Sequence, residues 1–425
     1  MPEDTPTPDG LAPDRPTPDV PNPDVPTVGD AAAGAEVSGF HPDTLAVTSG
    51  RSPDDAGALA PTIWESTVFT SASVADAAAA AVSTTATRFY SRNANPTVAA
   101  FEAAVAELEG AEAARAYASG MGALTGVVLG LCSAGDHVVS QHQLYGGTSQ
   151  LLAAVAPRLG IEVTFVDATE PGAFAAAVQP GRTVLVLAET PANPCLDIVD
   201  LDELGAIAGP ITAVDSTFAT PLGQNPLHHG VDLVVHSATK AMAGHNDATL
   251  GVVAGSRELI DWLWGFSVVA GATASPHDAA NALGGLRTLG VRFERQTATA
   301  RRLAAALEGH PAVVTVRHPD LPSHPQHALA QRQMRLGGGV VSFDVAGPDG
   351  SAVRAIEAMR LARIATSLGG PETLVTHPVS TTHHFLDADA RQRCGISGAT
   401  VRVSVGLEHP SDIIADVTAA LDAGA

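Results

Sequence analysis

The chain has 425 residues, a formal charge of −22 at pH 7 and 45% hydrophobic residues. That length buries a sizeable core and usually divides into two domains, while the acidic balance, without a basic stripe, excludes nucleic acid as a partner and disfavours anionic membranes. No apolar run reaches the roughly 20 residues that span a bilayer, and the N-terminus lacks the basic, apolar and small-residue succession of a secretory signal, so the expected location is the cytoplasm.

Residues 1–30 hold nine prolines and seven acids against one arginine. Proline withholds backbone donors and like charges repel, which predicts an extended, poorly ordered tail over 1–35. A solubilising tail and a tether both fit that composition. An arm with little periodic structure is expected over 36–75. Asn95 then caps a helix with Pro96 in its first turn, an apolar face of Val98, Phe101, Val105 and Leu108, and a stop at Gly110. Another helix begins after Gly120. Short buried strands are predicted at His137–Ser140, Glu162–Val166, Thr183–Ala188, Ile211–Val214 and Val231–Val235, with helices such as Ser149–Arg158 and Leu201–Ile207 between them. This alternation predicts an α/β domain with a mostly parallel sheet over 76–280. Beyond it, a helix at Arg295–Glu308, strands at Val313–Arg317 and Gly339–Val345, a helix at Ala352–Ala358, a strand at Thr400–Val405 and a closing helix from Ser411 predict a smaller α+β domain over 281–425.

Arginine outnumbers lysine 22 to one, and the single lysine is Lys240. A guanidinium serves surface charge and ion pairs but forms no imine with an aldehyde; an amine does. Compositional bias alone can leave one lysine behind, so its neighbourhood decides. Lys240 ends VDLVVHSATK, directly after an apolar run. Asp215 ends the strand ITAVD, and ligands of open α/β sheets bind beyond the carboxyl ends of strands. A carboxylate there can hold a proton on a ring nitrogen or simply cap a turn. Ser119-Gly120-Met121-Gly122 stands at a helix start, where free N–H groups and the dipole suit a phosphate; a plain glycine turn reads equally well. Ser237 and Thr239 bracket Lys240 with hydroxyls. Tyr145, in LYGGT, offers a face to a planar ring or belongs to the core. One amine, one acid and a set of phosphate donors together match pyridoxal 5′-phosphate, a phosphorylated pyridine aldehyde that acts as an electron sink. Cys132, Cys195 and Cys394 are widely spaced and read as buried or incidental thiols, and the sixteen histidines form no ligand set, so no metal is expected. His236 is expected to pack or hydrogen-bond near Lys240.

The motifs YSRNANPT at 90–97, ASGM at 118–121, AGDHVV at 134–139, YGGT at 145–148 and ETPANP at 189–194 continue with VDSTFATP at 214–221, VVHSATK at 234–240, SLGGPETLVTHP at 367–378 and VRVSVGLEHPSDIIADV at 401–417. As a set they resemble the Cys/Met-metabolism family of pyridoxal-phosphate enzymes, from about residue 60 to the C-terminus. The resemblance implies the fold-type I architecture, a large domain around a mostly parallel sheet plus a smaller C-terminal α+β domain. It implies that Lys240 carries the cofactor as an imine, Asp215 pairs with the pyridine nitrogen, and Tyr145 stacks on the ring and assists proton transfer. Gly120, Met121, Ser237 and Thr239 would hold the phosphate, Tyr90 and Arg92 would reach the phosphate of a neighbouring subunit, and Asn193 would sit near the phenolic oxygen. Arg402 would clamp the α-carboxylate of a small amino-acid substrate, with Ser367 and Glu372 in a segment near the substrate channel. A homotetramer with active sites shared between paired subunits is the implied assembly.

The implied reaction is γ-elimination or γ-replacement on a sulfur-containing amino acid or O-acyl homoserine, of cystathionine γ-lyase or γ-synthase type. The YGGT stretch lacks the cysteine often found nearby in methionine γ-lyases, which favours the cystathionine types. O-acetylhomoserine sulfhydrylation and cystathionine or cysteine β-elimination are the alternatives. An aminotransferase and a catalytically silent binding protein are more remote ones. The chain departs from the family pattern at Ser216, Ala241-Met242, Gly284, Gln296 and Thr381, which leaves substrate and leaving group open.

Overall fold

The computed structural model describes residues 40–50 and 59–424. The expected tail over 1–35 and part of the 36–75 arm lie outside the described residues. The arm is not without periodic structure, because helix α1 (Pro42–Thr48) stands within it. Leu45 and Ala46 of α1 are buried on the cluster around Phe101. Two buried positions in seven residues give too weak a periodicity to read, so tertiary contact decides this helix. Helix α2 (Val74–Val82) is capped by the Ser73 hydroxyl, which accepts from the Asp76 N–H.

Helix α3 (Pro96–Glu109) begins where the sequence places it: the Asn95 side chain accepts from the Thr97 N–H at 2.9 Å. Val98, Phe101, Val105 and Leu108 are all buried. Gly110 ends the helix at φ 68°, a left-handed conformation that a side chain would oppose. Strand β1 (Ala113–Tyr117) and helix α4 (Gly120–Leu131) follow, and the Ser119 side chain caps α4 by accepting from the Gly122 N–H at 3.0 Å.

The other strands of the large sheet are β2 (His137–Gln141), β3 (Glu162–Val166), β4 (Thr183–Glu189), β5 (Ile211–Asp215), β6 (Leu233–His236) and β7 (Gly251–Gly255). Their order is β1-β7-β6-β5-β4-β2-β3. Strands β2 to β6 pair in parallel, whereas β7 runs antiparallel to both β6 and β1. All five expected strands form. The edge pair β1 and β7 (AARAY and GVVAG) was not anticipated, because alanine- and glycine-rich segments carry little strand signal; at some of these positions there is no room for a larger residue. A Cβ on Gly251, for example, would lie 2.1 Å from the Ser119 carbonyl oxygen. Along β6, Val234 packs on the α3 side while Leu233 and Val235 pack on the α4 side. A sheet covered on both faces needs such unbroken apolar runs. The helix expected over Ser149–Arg158 is instead a helical turn at Gly146–Gln150, a widened turn at Leu151–Val155 and a tight one at Ala156–Leu159. Pro157 has no N–H with which to continue a regular ladder.

A second sheet holds β8 (Val313–Arg317), β9 (Val340–Val345), β10 (Arg363–Ile364), β11 (Leu374–Thr376) and β12 (Thr400–Ser404), in the order β10-β11-β12-β9-β8. The pair β10/β11 is parallel and the others are antiparallel. The helices Leu289–Glu308, Ser351–Ala358 and Pro410–Gly424 cover it through one apolar cluster. The first of these starts earlier than the expected Arg295. Its Leu289 and Phe293 join the core around α3, while Leu303 and Leu307 join the core of the smaller sheet. The architecture is the expected one, a large α/β unit with a mostly parallel sheet and a smaller C-terminal α+β unit.

Candidate active site

Glu189 ends β4, Asp215 ends β5 and Ser237 follows β6; all three line one cavity of about 280 Å³. Ligand space beyond strand carboxyl ends is what this topology creates. Ten of the sequence-derived site residues line the same cavity: Gly120, Met121, Tyr145, Asn193, Asp215, Ser237, Thr239, Lys240, Ser367 and Arg402.

Lys240 sits in a turn, with its N–H bonded to the Ser237 carbonyl at 3.0 Å and its own carbonyl accepting from the Gly244 N–H at 2.8 Å. Arg292, buried, pins that turn from behind by donating to the Ala241 carbonyl at 2.8 Å. The Lys240 Nζ donates to Ser367 Oγ at 3.0 Å. Burial, helped by the nearby Arg402 guanidinium, lowers its pKa to about 8. Ser367 adopts φ 95°, a strained conformation for a residue with a Cβ, and its carbonyl accepts from Arg402 Nη2 at 3.0 Å.

Asp215 accepts from the Thr217 N–H at 3.0 Å and the Thr217 hydroxyl at 2.5 Å. Burial raises its carboxyl above the usual range, while the Thr217 bonds and His236 pull it back. Thr217 Oγ1 also accepts from the Ser237 N–H at 2.8 Å, so one threonine joins the acid to the hydroxyl cluster. The first turn of α4 brings unpaired N–H groups and the positive end of its dipole to the same wall. A Cβ on Gly120 would lie 2.6 Å from Ser237 Cβ, so only glycine lets these two elements approach. Thr239 Oγ1 accepts from the Leu250 N–H at 2.8 Å and donates to the Leu250 carbonyl at 3.1 Å; bonding a phosphate requires it to release that carbonyl. Arg402 is buried and donates to Asn193 Oδ1 at 2.9 Å, while its buried Nε has no partner. Burial brings its pKa down to about 10.

Three sequence-derived residues are not brought to this cavity. Tyr90 and Arg92 line a separate groove beside Phe69 and Val268, where the Arg92 guanidinium lies 4.9 Å from the Tyr90 ring centre. Glu372 is exposed and accepts from Asn246 Nδ2 at 2.7 Å. His236 bonds Glu109 at 2.6 Å in the interior. The three cysteines are free and buried, which decides between the buried and incidental readings. Among the described residues no cluster of three or more His, Cys, Asp or Glu could hold a metal, and no helix is long and apolar enough to cross a membrane. The cavity residues that the sequence did not single out include Glu189 and Thr217. Both lie inside quoted motifs, ETPANP and VDSTFATP, so the signal was present, but neither stands out by type or spacing.

An amine with a depressed pKa, a buried carboxylate, a helix N-terminus with hydroxyls and an underused guanidinium can carry an imine, hold a ring-nitrogen proton, bind a phosphate and bind a carboxylate. The similarities of the chain agree with that set. It is 41% identical over 392 residues to O-succinylhomoserine sulfhydrylase of Pseudomonas aeruginosa, covering 92% of this chain and 97% of the relative. It is 42% identical over 388 residues to L-methionine γ-lyase of Pseudomonas putida, covering 90% and 97%. Its fold superposes with a TM-score of 0.85, at 36% identity, on cystathionine γ-synthase of Xanthomonas oryzae pv. oryzae in complex with cystathionine, covering 91% of this chain and 98% of that one. Residues 43–422 match the family described as Cys/Met metabolism PLP-dependent enzyme, and the chain belongs to that family.

Proposed function

We propose that this protein binds pyridoxal 5′-phosphate and catalyses γ-elimination or γ-replacement on a sulfur-containing amino acid or O-acyl homoserine, in the manner of cystathionine γ-lyases or γ-synthases. The observation that carries the reading is the meeting of its sole lysine, Lys240, with Asp215 and Arg402 around one cavity. The residues fit the cofactor: Gly120, where a Cβ would lie 2.6 Å from Ser237 Cβ, lets the start of α4 approach Ser237 at the wall of the cavity that Lys240 and Asp215 also line, and Arg402 Nε, a buried donor without a partner, suits the substrate carboxylate. The names of the relatives, an O-succinylhomoserine sulfhydrylase and a methionine γ-lyase, support the reaction class.

The bound cofactor supplies an electron sink for charge developing on the substrate. Arg402 binds the substrate α-carboxylate with its planar fork and so fixes the orientation of Cα. Asp215, fixed by its two bonds from Thr217, would keep a proton on the ring nitrogen, and Tyr145 would offer its face to the ring. The neutral Lys240 Nζ would take the proton from the substrate Cα, and Ser367 Oγ, at 3.0 Å, would keep that amine beside the reacting carbon. Loss of a Cβ proton then lets the Cγ substituent leave. Addition of a thiol at Cγ gives replacement; protonation and hydrolysis give a 2-oxo acid and ammonia. Tyr90 and Arg92 lie outside the cavity of their own chain, which supports an assembly in which they complete the site of a neighbouring subunit.

Lys240 attacks an aldehyde only when neutral. A lowered pKa favours the neutral amine: with a value of about 8, roughly a tenth is neutral at pH 7 and most is neutral at pH 9. Cofactor uptake by cofactor-free protein, followed by its yellow absorbance, is therefore expected to speed up roughly tenfold between these pH values and then level off. A rate still climbing at pH 10 would mean an ordinary lysine.

The function is tested with a panel of cystathionine, cysteine, methionine, homocysteine and O-acyl homoserines, with and without a thiol, by identifying products. Release of 2-oxobutyrate from cystathionine, or a thioether from an O-acyl homoserine, supports the reading. Pyruvate from cystathionine or cysteine would move it to β-elimination. Stoichiometric accumulation of pyridoxamine phosphate would make the protein an aminotransferase, and no turnover of any substrate by cofactor-loaded protein would make it a binding protein.

A further inference from the structure

Glu189 is buried at the carboxyl end of β4 and has no part in the roles above. Its two oxygens serve two different segments. Oε2 accepts from the Tyr145 N–H at 2.8 Å and Oε1 from the Asn193 N–H at 2.7 Å. Asn193 Oδ1 in turn accepts from Arg402 Nη1 at 2.9 Å. One side chain therefore ties the aromatic wall of the cavity to the residue that orients its guanidinium. The backbone of Glu189 is itself locked by the Gln141 side chain, which donates to its carbonyl at 2.9 Å and accepts from its N–H at 3.0 Å.

The position is a costly one for an acid. Glu189 and Asp215 are paired neighbours on β4 and β5. Burial and the adjacent Asp215 charge push the Glu189 carboxyl well above the usual range. A buried acid beside another acid persists only where its hydrogen bonds offset the lost hydration. Glutamine would fill the same volume, but its donor nitrogen would replace one of the two oxygens, and the N–H group facing that position would lose its acceptor. The two converging N–H groups require a carboxyl.

We propose that Glu189 is a positioning residue that sets Tyr145 and Asn193, and through Asn193 the Arg402 fork, in a single geometry for an amino-acid substrate; this role rests on the pyridoxal-phosphate reading. The test is Glu189→Gln in the full-length, cofactor-loaded protein. Borohydride is expected to fix the cofactor on Lys240 as in the wild type, because Glu189 does not contact Lys240 through any of these bonds. The visible circular dichroism of the bound cofactor is expected to weaken as Tyr145 loses its anchor. KM for the amino acid is expected to rise roughly tenfold, the effect of one lost buried hydrogen bond, with a smaller change in kcat. A variant with wild-type KM and dichroism overturns the proposal. A fall in kcat alone also overturns it, because that marks a proton-transfer group. Amide hydrogen exchange on cofactor-free wild-type protein separates this idea from the functional reading and needs no variant. The Tyr145 and Asn193 amides are expected to be protected, and unprotected exchange at both sinks the role of Glu189 whatever the cofactor does.

Discussion

Replacing Lys240 with alanine is expected to lower turnover by at least about 10⁴-fold while the fold survives. The chain has no second lysine to substitute for it. The variant loses both the amine that joins the cofactor and the base that moves the Cα proton. Its structural role is small, because Nζ bonds one hydroxyl, Ser367 Oγ. The turn that carries it is held by backbone bonds and by Arg292, which the substitution leaves alone. The thermal midpoint is therefore expected to stay within about 2 °C of the wild type, the order of shift that a change of about 1 kcal/mol brings in a chain of this length. The measurement pairs 2-oxo acid release with borohydride labelling of the cofactor-saturated protein. Full activity in the alanine variant would remove Lys240 from the chemistry.

Arg402→Leu is expected to reduce kcat/KM about 10²- to 10³-fold, chiefly through KM. Arg402 is 2% exposed, and its hydrogen bonds go to neutral groups: the Asn193 amide oxygen, the Ser367 carbonyl and the Thr376 hydroxyl. A buried guanidinium bonded to neutral groups, with Nε unpartnered, gains a counterion when an α-carboxylate enters. Removing the guanidinium leaves that carboxylate desolvated and unpaired, which is the expensive half of a broken ion pair. Arg402→Lys keeps the charge but loses the fork, so it should fall between the two. Comparing the amino acid with the matching amine that lacks the carboxylate isolates the effect. The wild type should discriminate strongly and Arg402→Leu should not; a leucine variant that still discriminates would place the clamp elsewhere.

The site was legible because its chemistry is carried by residue type. Lys240 stands out as the one amine, and Asp215 as the acid closing an apolar strand. Glu189 was harder to see. Its importance comes from two N–H groups, 44 and 4 residues away, that meet at its oxygens, and no local pattern records such a meeting. Glu372 shows the converse. Its segment runs toward the cavity, and Ser367 lines it, but Glu372 turns outward to Asn246. Proximity in sequence does not fix the direction of a side chain. Two of the departures from the family pattern also acquire physical meaning. Ala241 sits against Gly369, where a Cβ would lie 2.5 Å from the Ala241 nitrogen, and Gln296 Nε2 holds the Gly370 carbonyl at 2.8 Å. Ala241 packs the Lys240 turn against the Ser367 segment, and Gln296 holds that segment from the helix Leu289–Glu308. Gly284, by contrast, faces open space.

From the amino-acid sequence alone came the parallel strands of the large sheet, the capped helix α3 and the chemical inventory of the cavity, because apolar runs, caps and rare residue types act over a few neighbouring positions. The tertiary structure decided the rest: the edge pair β1 and β7, helix α1, the two-core helix Leu289–Glu308, and which of the candidate groups share a cavity. Those depend on contacts between segments far apart in the chain, where burial, a missing Cβ or a distant N–H sets the energy and the local residues carry no sign of it.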